Sequence, residues 1–171
     1  NPQWPNPSTK KVGVQAARTQ SEIAVLLQWP DDSQESHFSN SGLYSDKAAV
    51  MFPLDPSKEI PLITMGAEGM FVNIWEWKAV LQQFGGRSPV EDLNAEGFST
   101  LTTQAHQDVM GGGNWNNNRW VVVFKRALTT SDSNDSQFTG GKTPMAIAIW
   151  NGANKERNGQ KAVVQWQTLK Y

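Results

Sequence analysis

The sequence predicts a mainly β protein, an antiparallel β-sandwich with at most a few short helices. The first observation is a series of short runs that are rich in β-branched and aromatic side chains, the composition that strands favour. The second is that turn-forming stretches, such as Pro30–Ser33 and Ser131–Asp135, separate these runs. The third is the near absence of helical periodicity, which leaves a sandwich as the simplest architecture.

Six runs are predicted as strands: 23–29, 48–52, 70–77, 120–124, 145–150 and 162–166. One short helix is predicted over Trp77–Gln83, because Gly85-Gly86 would stop it within two turns. The stretch from Arg87 to Gly113 has few apolar residues and no clear period, so it is predicted as an ordered loop. No repeat or linker divides the chain, and a single domain over residues 1–171 is expected.

Composition argues against several classes of function. The net charge of −1, from 15 basic and 16 acidic residues, gives no broad attraction for nucleic acid. The absence of cysteine excludes disulfides and the thioether attachment of c-type haem. No apolar run approaches the roughly 20 residues of a membrane span. The first residues lack the pattern of a signal peptide, so an exported protein is expected to have lost its signal already.

The usual catalytic motifs are missing, including the nucleophile elbow, the Walker A loop and the zinc-protease helix. His37 and His106 both lie in polar stretches and are interpreted as solvated loop residues. Gly111–Gly113 does not lead into a helix, as a phosphate loop would, and is interpreted as the approach to a hairpin. An enzyme active site is therefore not predicted.

Tryptophan and methionine are the residues that point to a binding function. Trp75 and Trp77 fall on the same side of a predicted strand. Such aromatic rows usually form core, but they also suit a flat slot for a sugar ring or a planar cofactor, and composition leaves both open. A thioether is a ligand for haem iron. Met65 and Met110 each precede a glycine in a loop-like context, whereas the other three methionines lie inside predicted strands.

Five blocks together resemble the ethylbenzene-dehydrogenase-type haem-binding domain, which supplies γ subunits of periplasmic molybdenum oxidoreductases. They occur in family order and span most of the chain: Met65–Ala79 (MGAEGMFVNIWEWKA), Ala95–Leu101 (AEGFSTL), Met110–Trp115 (MGGGNW), Trp120–Leu128 (WVVVFKRAL), and Trp150–Gly152 leading to Glu156–Lys161 (ERNGQK). Asn118 departs from the family, where glycine is expected, but asparagine tolerates a positive φ and can keep the turn.

The resemblance implies a β-sandwich that holds one haem b through a methionine and a lysine. It places Lys161 as the amine ligand, with Lys78 and Lys125 as competitors, because Lys161 matches the family's Gly-x-Lys ending. A lysine that binds iron must be neutral, so we expect burial to lower its pKa. The resemblance places Met65 as the thioether ligand, with Met51 as the runner-up.

Two residues of the Met65 block, Asn73 and Trp75, are also expected to bind the cofactor. The implied function is electron transfer by a non-catalytic periplasmic subunit. Its implied partners are an iron–sulfur β subunit, a molybdopterin α subunit and a soluble cytochrome or similar protein. Two rival hypotheses are a carbohydrate-binding sandwich with an open tryptophan platform and a haem-free structural subunit of the same fold.

Overall fold

The smaller of two antiparallel sheets has two central strands whose side chains alternate between buried and more exposed positions. Its strands are β1 (Gly13–Arg18), β2 (Glu22–Pro30), β7 (Met110–Trp115) and β8 (Arg119–Ala127), in the order β1-β2-β8-β7. β2 and β8 pair along nine residues each, and this period-two pattern turns one face of the sheet toward the interior. The structure is a computed structural model that describes residues 4–38, 42–84 and 87–171.

The larger sheet has six strands in the order β10-β9-β3-β4-β5-β6. They are β3 (Lys47–Pro53), β4 (Val72–Lys78), β5 (Val90–Ala95), β6 (Thr102–Thr103), β9 (Lys142–Trp150) and β10 (Ala162–Lys170). The single short helix of the described residues, α1 (Ala79–Phe84), follows β4 directly. β3 and β4 are buried on both faces over most of their length, so this sheet is covered on its outward side as well.

The predicted fold class is confirmed, and each of the six predicted strands overlaps an observed one. The short helix is also present, although the Gly85-Gly86 pair expected to stop it lies outside the described residues. The predicted loop over Arg87–Gly113 is wrong, because this stretch contains β5, β6 and most of β7. No helix of the described residues is long and apolar enough to cross a membrane.

Large aromatic side chains fill the space between the sheets. Trp77 packs edge-on against Trp120 at 4.7 Å between ring centroids, and Trp29 stacks on Trp120 at 6.4 Å. Trp75 lies among Phe52 and other phenylalanines, and all four tryptophans are at most 1% exposed. Tryptophans buried between two sheets cannot form an open sugar-binding platform, so this part of the carbohydrate hypothesis loses its support.

Gly113 allows the edge strand β7 to lie directly on the aromatic core. A Cβ at this position would meet Trp77 Cζ2 and come within 2.7 Å of its Cε2. Trp77 is fully buried, so it has no room to withdraw. We expect Gly113→Ala to lower the free energy of unfolding by about 3 kcal/mol, the upper end of the usual cost of overpacking, as measured by urea titration.

The matched control for this prediction is the neighbouring residue. A Cβ at Gly112 would lie 3.4 Å from Oε1 of Gln82, the end of a flexible side chain, so Gly112→Ala should cost much less. Equal costs for the two alanine variants would mean that the strand requires glycine for another reason. The hairpin interpretation of this glycine run is confirmed, since β7 and β8 join through Asn117 and Asn118, both at positive φ.

Candidate functional site

The outward face of the six-stranded sheet carries a second apolar cluster, here called the outer cluster. Its buried members come from four strands of the sheet: Ala49, Met51, Val72, Ile74, Leu93, Ala95, Ala146 and Trp150, with Ile63, Met65, Ala148 and Trp166 packed against them. A β-bulge in β10 lets Trp166 turn to this side, where its Nε1 donates to the Pro61 carbonyl at 2.8 Å. The loop between β3 and β4 therefore lies across the outer cluster.

Met65 lies in this loop, in a tightly constrained turn. Its φ is 69°, and its carbonyl accepts a hydrogen bond from Gly97 N at 2.7 Å. Gly66 follows at φ 93°, where a Cβ would come within 2.5 Å of the Met70 carbonyl, so only glycine fits without a shift. The backbone is thus fixed on both sides of Met65, while its thioether side chain packs against the outer cluster.

Lys161 reaches the same face from the turn between β9 and β10. Its Nζ lies 4.8 Å from the centroid of the Trp150 ring. Burial lowers the pKa of Lys161; Glu76 raises it and Lys47 lowers it further, with burial the larger effect. Among the described residues, no carboxylate lies within 4.0 Å of this amine. Lys161 is therefore a desolvated amine without an ion-pair partner, the state in which a lysine can offer its lone pair to a metal.

The two other lysines considered from the sequence are engaged elsewhere. Burial lowers the pKa of Lys78, but Glu76, at 3.0 Å, and Glu91 together outweigh burial and hold that pKa above its ordinary value. Lys125 lies on the opposite sheet and pairs with Glu22 at 2.9 Å. A protonated, ion-paired ammonium has no free lone pair, so neither lysine offers what Lys161 offers.

Met65 and Lys161 approach the outer cluster from opposite ends of the strands. Gly97, whose backbone N–H donates to the Met65 carbonyl, lies two residues after Ala95. Ala95 pairs with Val72 at the start of β4. Lys161 lies beside Trp150, which pairs with Lys47 opposite the end of β4. The thioether and the amine therefore both face the outer cluster, one near each end of β4.

Small side chains form the middle of this face. Ala49 and Ala148 are register partners on β3 and β9, and Ala146 opposes Met51 one step further along. The thioether, the desolvated amine and these alanines supply two possible metal donors and an apolar surface on one face of the sheet. Met51 lies beside these alanines on the same face and is 8% exposed.

Asn73 and Trp75 are not brought together with Met65 and Lys161. Both point to the opposite face of β4, into the space between the sheets, and both are fully buried. The side-chain Oδ1 of Asn73 accepts from Trp75 Nε1 at 3.2 Å and from Arg126 Nη1 at 3.1 Å. These two residues belong to a polar network inside the sandwich, separated from the outer cluster by the sheet itself.

Asp92 is a member of that inner network with one buried oxygen that has no hydrogen-bond partner among the described residues. Its Oδ1 accepts from Asn73 Nδ2 at 2.6 Å and from Gln104 Nε2 at 3.0 Å, while its Oδ2 has no hydrogen-bond partner among the described residues. Burial raises the pKa of Asp92 to about 7, against an ordinary value of 3.8. Between these values the folded protein holds a proton that the unfolded chain has released. The contribution of this proton to the free energy of unfolding is therefore fully present below about pH 4 and is lost as the pH rises through 7.

We expect Asp92→Asn to raise the free energy of unfolding at pH 8 by about 1–3 kcal/mol and to flatten its dependence between pH 5 and 8. The amide keeps the accepting oxygen and places an uncharged group where Oδ2 has no partner. Urea titrations at several pH values measure both effects. A variant as pH-sensitive as the wild type would show that Asp92 is ionised in the fold.

Asp46→Asn is the contrasting variant. Burial also raises the pKa of Asp46 to about 7, but both of its oxygens accept N–H groups. The donors are Gly152 N at 2.8 Å, Glu35 N at 2.7 Å and Trp120 Nε1 at 3.0 Å. An asparagine amide group would face at least one donor, so this variant should be destabilised across the whole pH range.

Comparison with known proteins gives the family. The family model described as "Ethylbenzene dehydrogenase" matches residues 4–100 and 89–162. The chain belongs to this family. The predicted resemblance is confirmed, and the matched residues include strands β1 to β9 and the first residue of β10. No group of three or more His, Cys, Asp or Glu side chains in the described part of the chain could hold a metal ion.

Relatives in the ethylbenzene dehydrogenase family are named as subunits of oxidoreductases. The γ subunit of chlorate reductase of Ideonella dechloratans is 32% identical over 96% of this chain and 66% of its own length. The γ subunit of dimethylsulfide dehydrogenase of Rhodovulum sulfidophilum is 30% identical over 88% of this chain and 56% of its own length. A Haloferax mediterranei protein named as a heme subunit of respiratory nitrate reductase is 31% identical over 93% of this chain.

The chain spans between 55% and 66% of the length of these relatives. Among solved structures, a carbohydrate binding module of family 9 from Caldicellulosiruptor kristjanssonii, in complex with cellotriose, is similar with a TM-score of 0.49. It is 9% identical over 92% of this chain and 65% of that chain.

Proposed function

We propose that this chain binds one haem b on its outer cluster, with Met65 and Lys161 as the axial ligands, and transfers electrons as a non-catalytic subunit. The observation that carries the proposal is the half-buried Lys161 amine, which has no carboxylate within 4.0 Å among the described residues and whose pKa burial lowers, on the same face as the Met65 thioether. The names of the relatives support it, since one is a heme subunit and two are γ subunits. Bound haem would take up and release one electron at a time.

The chain's own residues would set the properties of such a haem. A methionine ligand raises the reduction potential. Burial disfavours the charged form of Lys161, so the proton that must leave before the amine binds iron would be lost at a lower pH than from an exposed lysine. Trp150 would shield the Lys161 side of the group from water, since it is only 7% exposed. The alanines in the middle of the outer cluster would allow the macrocycle to approach the sheet. Asn73 and Trp75, on the other face, are not part of this proposed site.

We further propose that the complete protein works in the periplasm, within a molybdenum oxidoreductase. In that arrangement it would relay electrons between an iron–sulfur β subunit, beside the molybdopterin α subunit, and a soluble cytochrome or similar partner. The γ-subunit names of two relatives support a multisubunit complex. Purification of the natural protein from a periplasmic fraction tests both points. Recovery as a lone protein in the cytoplasmic fraction would contradict them.

The decisive experiment is haem reconstitution of the purified chain. We expect one equivalent of haem to bind, the pyridine haemochrome spectrum to identify haem b, and electron paramagnetic resonance to show a low-spin ferric iron. A chain that folds, as judged by circular dichroism, and still takes up no haem would contradict the proposal and favour a haem-free structural subunit. Binding of cello-oligosaccharides by the same chain would instead revive the carbohydrate hypothesis.

A further inference from the structure

At the Lys161 end of the outer cluster lies a group of charged side chains that the axial ligands do not use. Lys47 and Lys78 are register partners on β3 and β4, and both point outward with Glu76 and Glu91. Their side chains are about one quarter exposed, so they lie at the boundary between the outer cluster and solvent. A haem bound beside this boundary presents two carboxylates, its propionates, which require cations or water.

The two lysines of this group differ in what they contact. Lys78 lies between two carboxylates, with Glu76 at 3.0 Å and Glu91 also in contact. Lys47 reaches only Glu76, at 4.0 Å, and that carboxylate already pairs with Lys78. Among the described residues, Lys47 has no other carboxylate within 4.0 Å. Of these two lysines, Lys47 is therefore the one whose ammonium is available to an incoming anion.

Lys47 is also close to the proposed iron ligand. Its Nζ lies 6.0 Å from the centroid of the Trp150 ring, the ring whose centroid is 4.8 Å from Lys161 Nζ. That ring is fixed in place, because Trp150 Nε1 donates to the Asn158 carbonyl at 3.0 Å. If haem bound through Lys161, Lys47 would therefore be a cation close to it at the solvent boundary, where a propionate could be held.

Arg157, the arginine nearest to Lys161 in the sequence, is already engaged. Its guanidinium lies over the Tyr44 ring at 4.8 Å, and its Nη1 donates to the Lys155 carbonyl at 2.8 Å. We propose that Lys47 binds a haem propionate and so fixes the orientation of the haem on the outer cluster. This inference rests on the proposed function, and it assigns a specific anion-binding role to a residue outside the axial pair.

The test compares two cofactors and two proteins. Haem and its dimethyl ester, in which both propionates are uncharged, are loaded into the wild type and into Lys47→Gln. Dissociation rates are measured by transfer to excess apomyoglobin. We expect Lys47→Gln to release haem about tenfold faster than the wild type, the size of one charge-assisted hydrogen bond, and to release the ester at the wild-type rate. The non-additivity of the two changes isolates the contact between them.

Two control variants locate the effect. Lys125→Gln removes a lysine from the opposite sheet and should leave both rates unchanged. Lys78→Gln should not distinguish haem from its ester, because Lys78 is occupied by two carboxylates. If Lys47→Gln accelerates the release of both cofactors equally, or if only Lys78→Gln distinguishes them, the assignment of Lys47 is overturned. If the wild type binds neither cofactor, the proposed function fails, and this inference falls with it.

Discussion

Replacing Lys161 by alanine should convert the low-spin haem of the reconstituted chain into a high-spin one. Alanine cannot reach the iron, and a water molecule or an empty position would take the place of a strong-field amine. We expect the low-spin ferric signals to disappear from the electron paramagnetic resonance spectrum and the Soret band to shift, while haem remains bound more weakly. Among the changes considered for this protein, we expect this one to alter the spectrum most.

Met65→Ala should have a related but distinguishable effect. Loss of the thioether removes the ligand that favours ferrous iron, so the reduction potential should fall as well as the spin state change. Met51→Leu serves as the matched control, because leucine keeps the apolar volume of the methionine and removes its sulfur. A normal low-spin spectrum for Met65→Ala, together with a loss in Met51→Leu, would transfer the ligand role to Met51.

A control is also needed for the lysine. Lys125→Ala removes an exposed lysine of the opposite sheet and should leave the spectrum unchanged. Lys78→Ala tests the competitor on the same face, which we expect to remain an ion-paired ammonium. If Lys161→Ala keeps the wild-type spectrum and Lys78→Ala loses it, the amine has been assigned to the wrong residue, although haem binding itself would stand.

The sequence predicts strands well where β-branched and aromatic side chains follow one another, and poorly where they do not. β2 (EIAVLLQWP) and β8 (RWVVVFKRA) contain such runs and are readily predicted. The edge strand β7 is MGGGNW, and its glycines carry no hydrophobic pattern. β5 is VEDLNA, in which Asp92 takes an inward position that patterning would give to an apolar residue. Pairing and close packing, rather than propensity, make these two segments strands.

The candidate site, like the fold, could be predicted from the sequence only in part. The family blocks predict Met65 and Lys161 as ligands, which stays a prediction, and the structure places both side chains against one apolar face. Alternation also shows that Asn73 and Trp75 share a side of β4. The sequence does not show that this side is the interior of the sandwich, because both faces of β4 are buried. Lys47 could have been suspected from its period-two spacing to Met51, but its availability depends on ion pairs that only the fold reveals.

The turn that carries Lys161 depends on one buried carboxylate. Glu156 is 1% exposed, and among the described residues it has no cation within 4.0 Å. Its Oε1 accepts from Trp4 Nε1 at 3.0 Å, from Ser8 N at 2.9 Å and from Asn154 Nδ2 at 2.9 Å. Its Oε2 accepts from Asn151 N at 2.9 Å. Glu156 thus joins the N-terminal segment to the turn between β9 and β10.

Glu156→Gln should lower the free energy of unfolding by about 3 kcal/mol and weaken haem binding, because both oxygens accept N–H groups and the new amide must face a donor. Urea titration measures the first effect and haem dissociation the second. Glu59→Gln, at an exposed position, makes the same chemical change and should do neither. A destabilised Glu156→Gln that retains wild-type haem release would show that the turn keeps its shape without this carboxylate. Loss of both together would show that the position of Lys161 is set by hydrogen bonds that reach as far as Trp4.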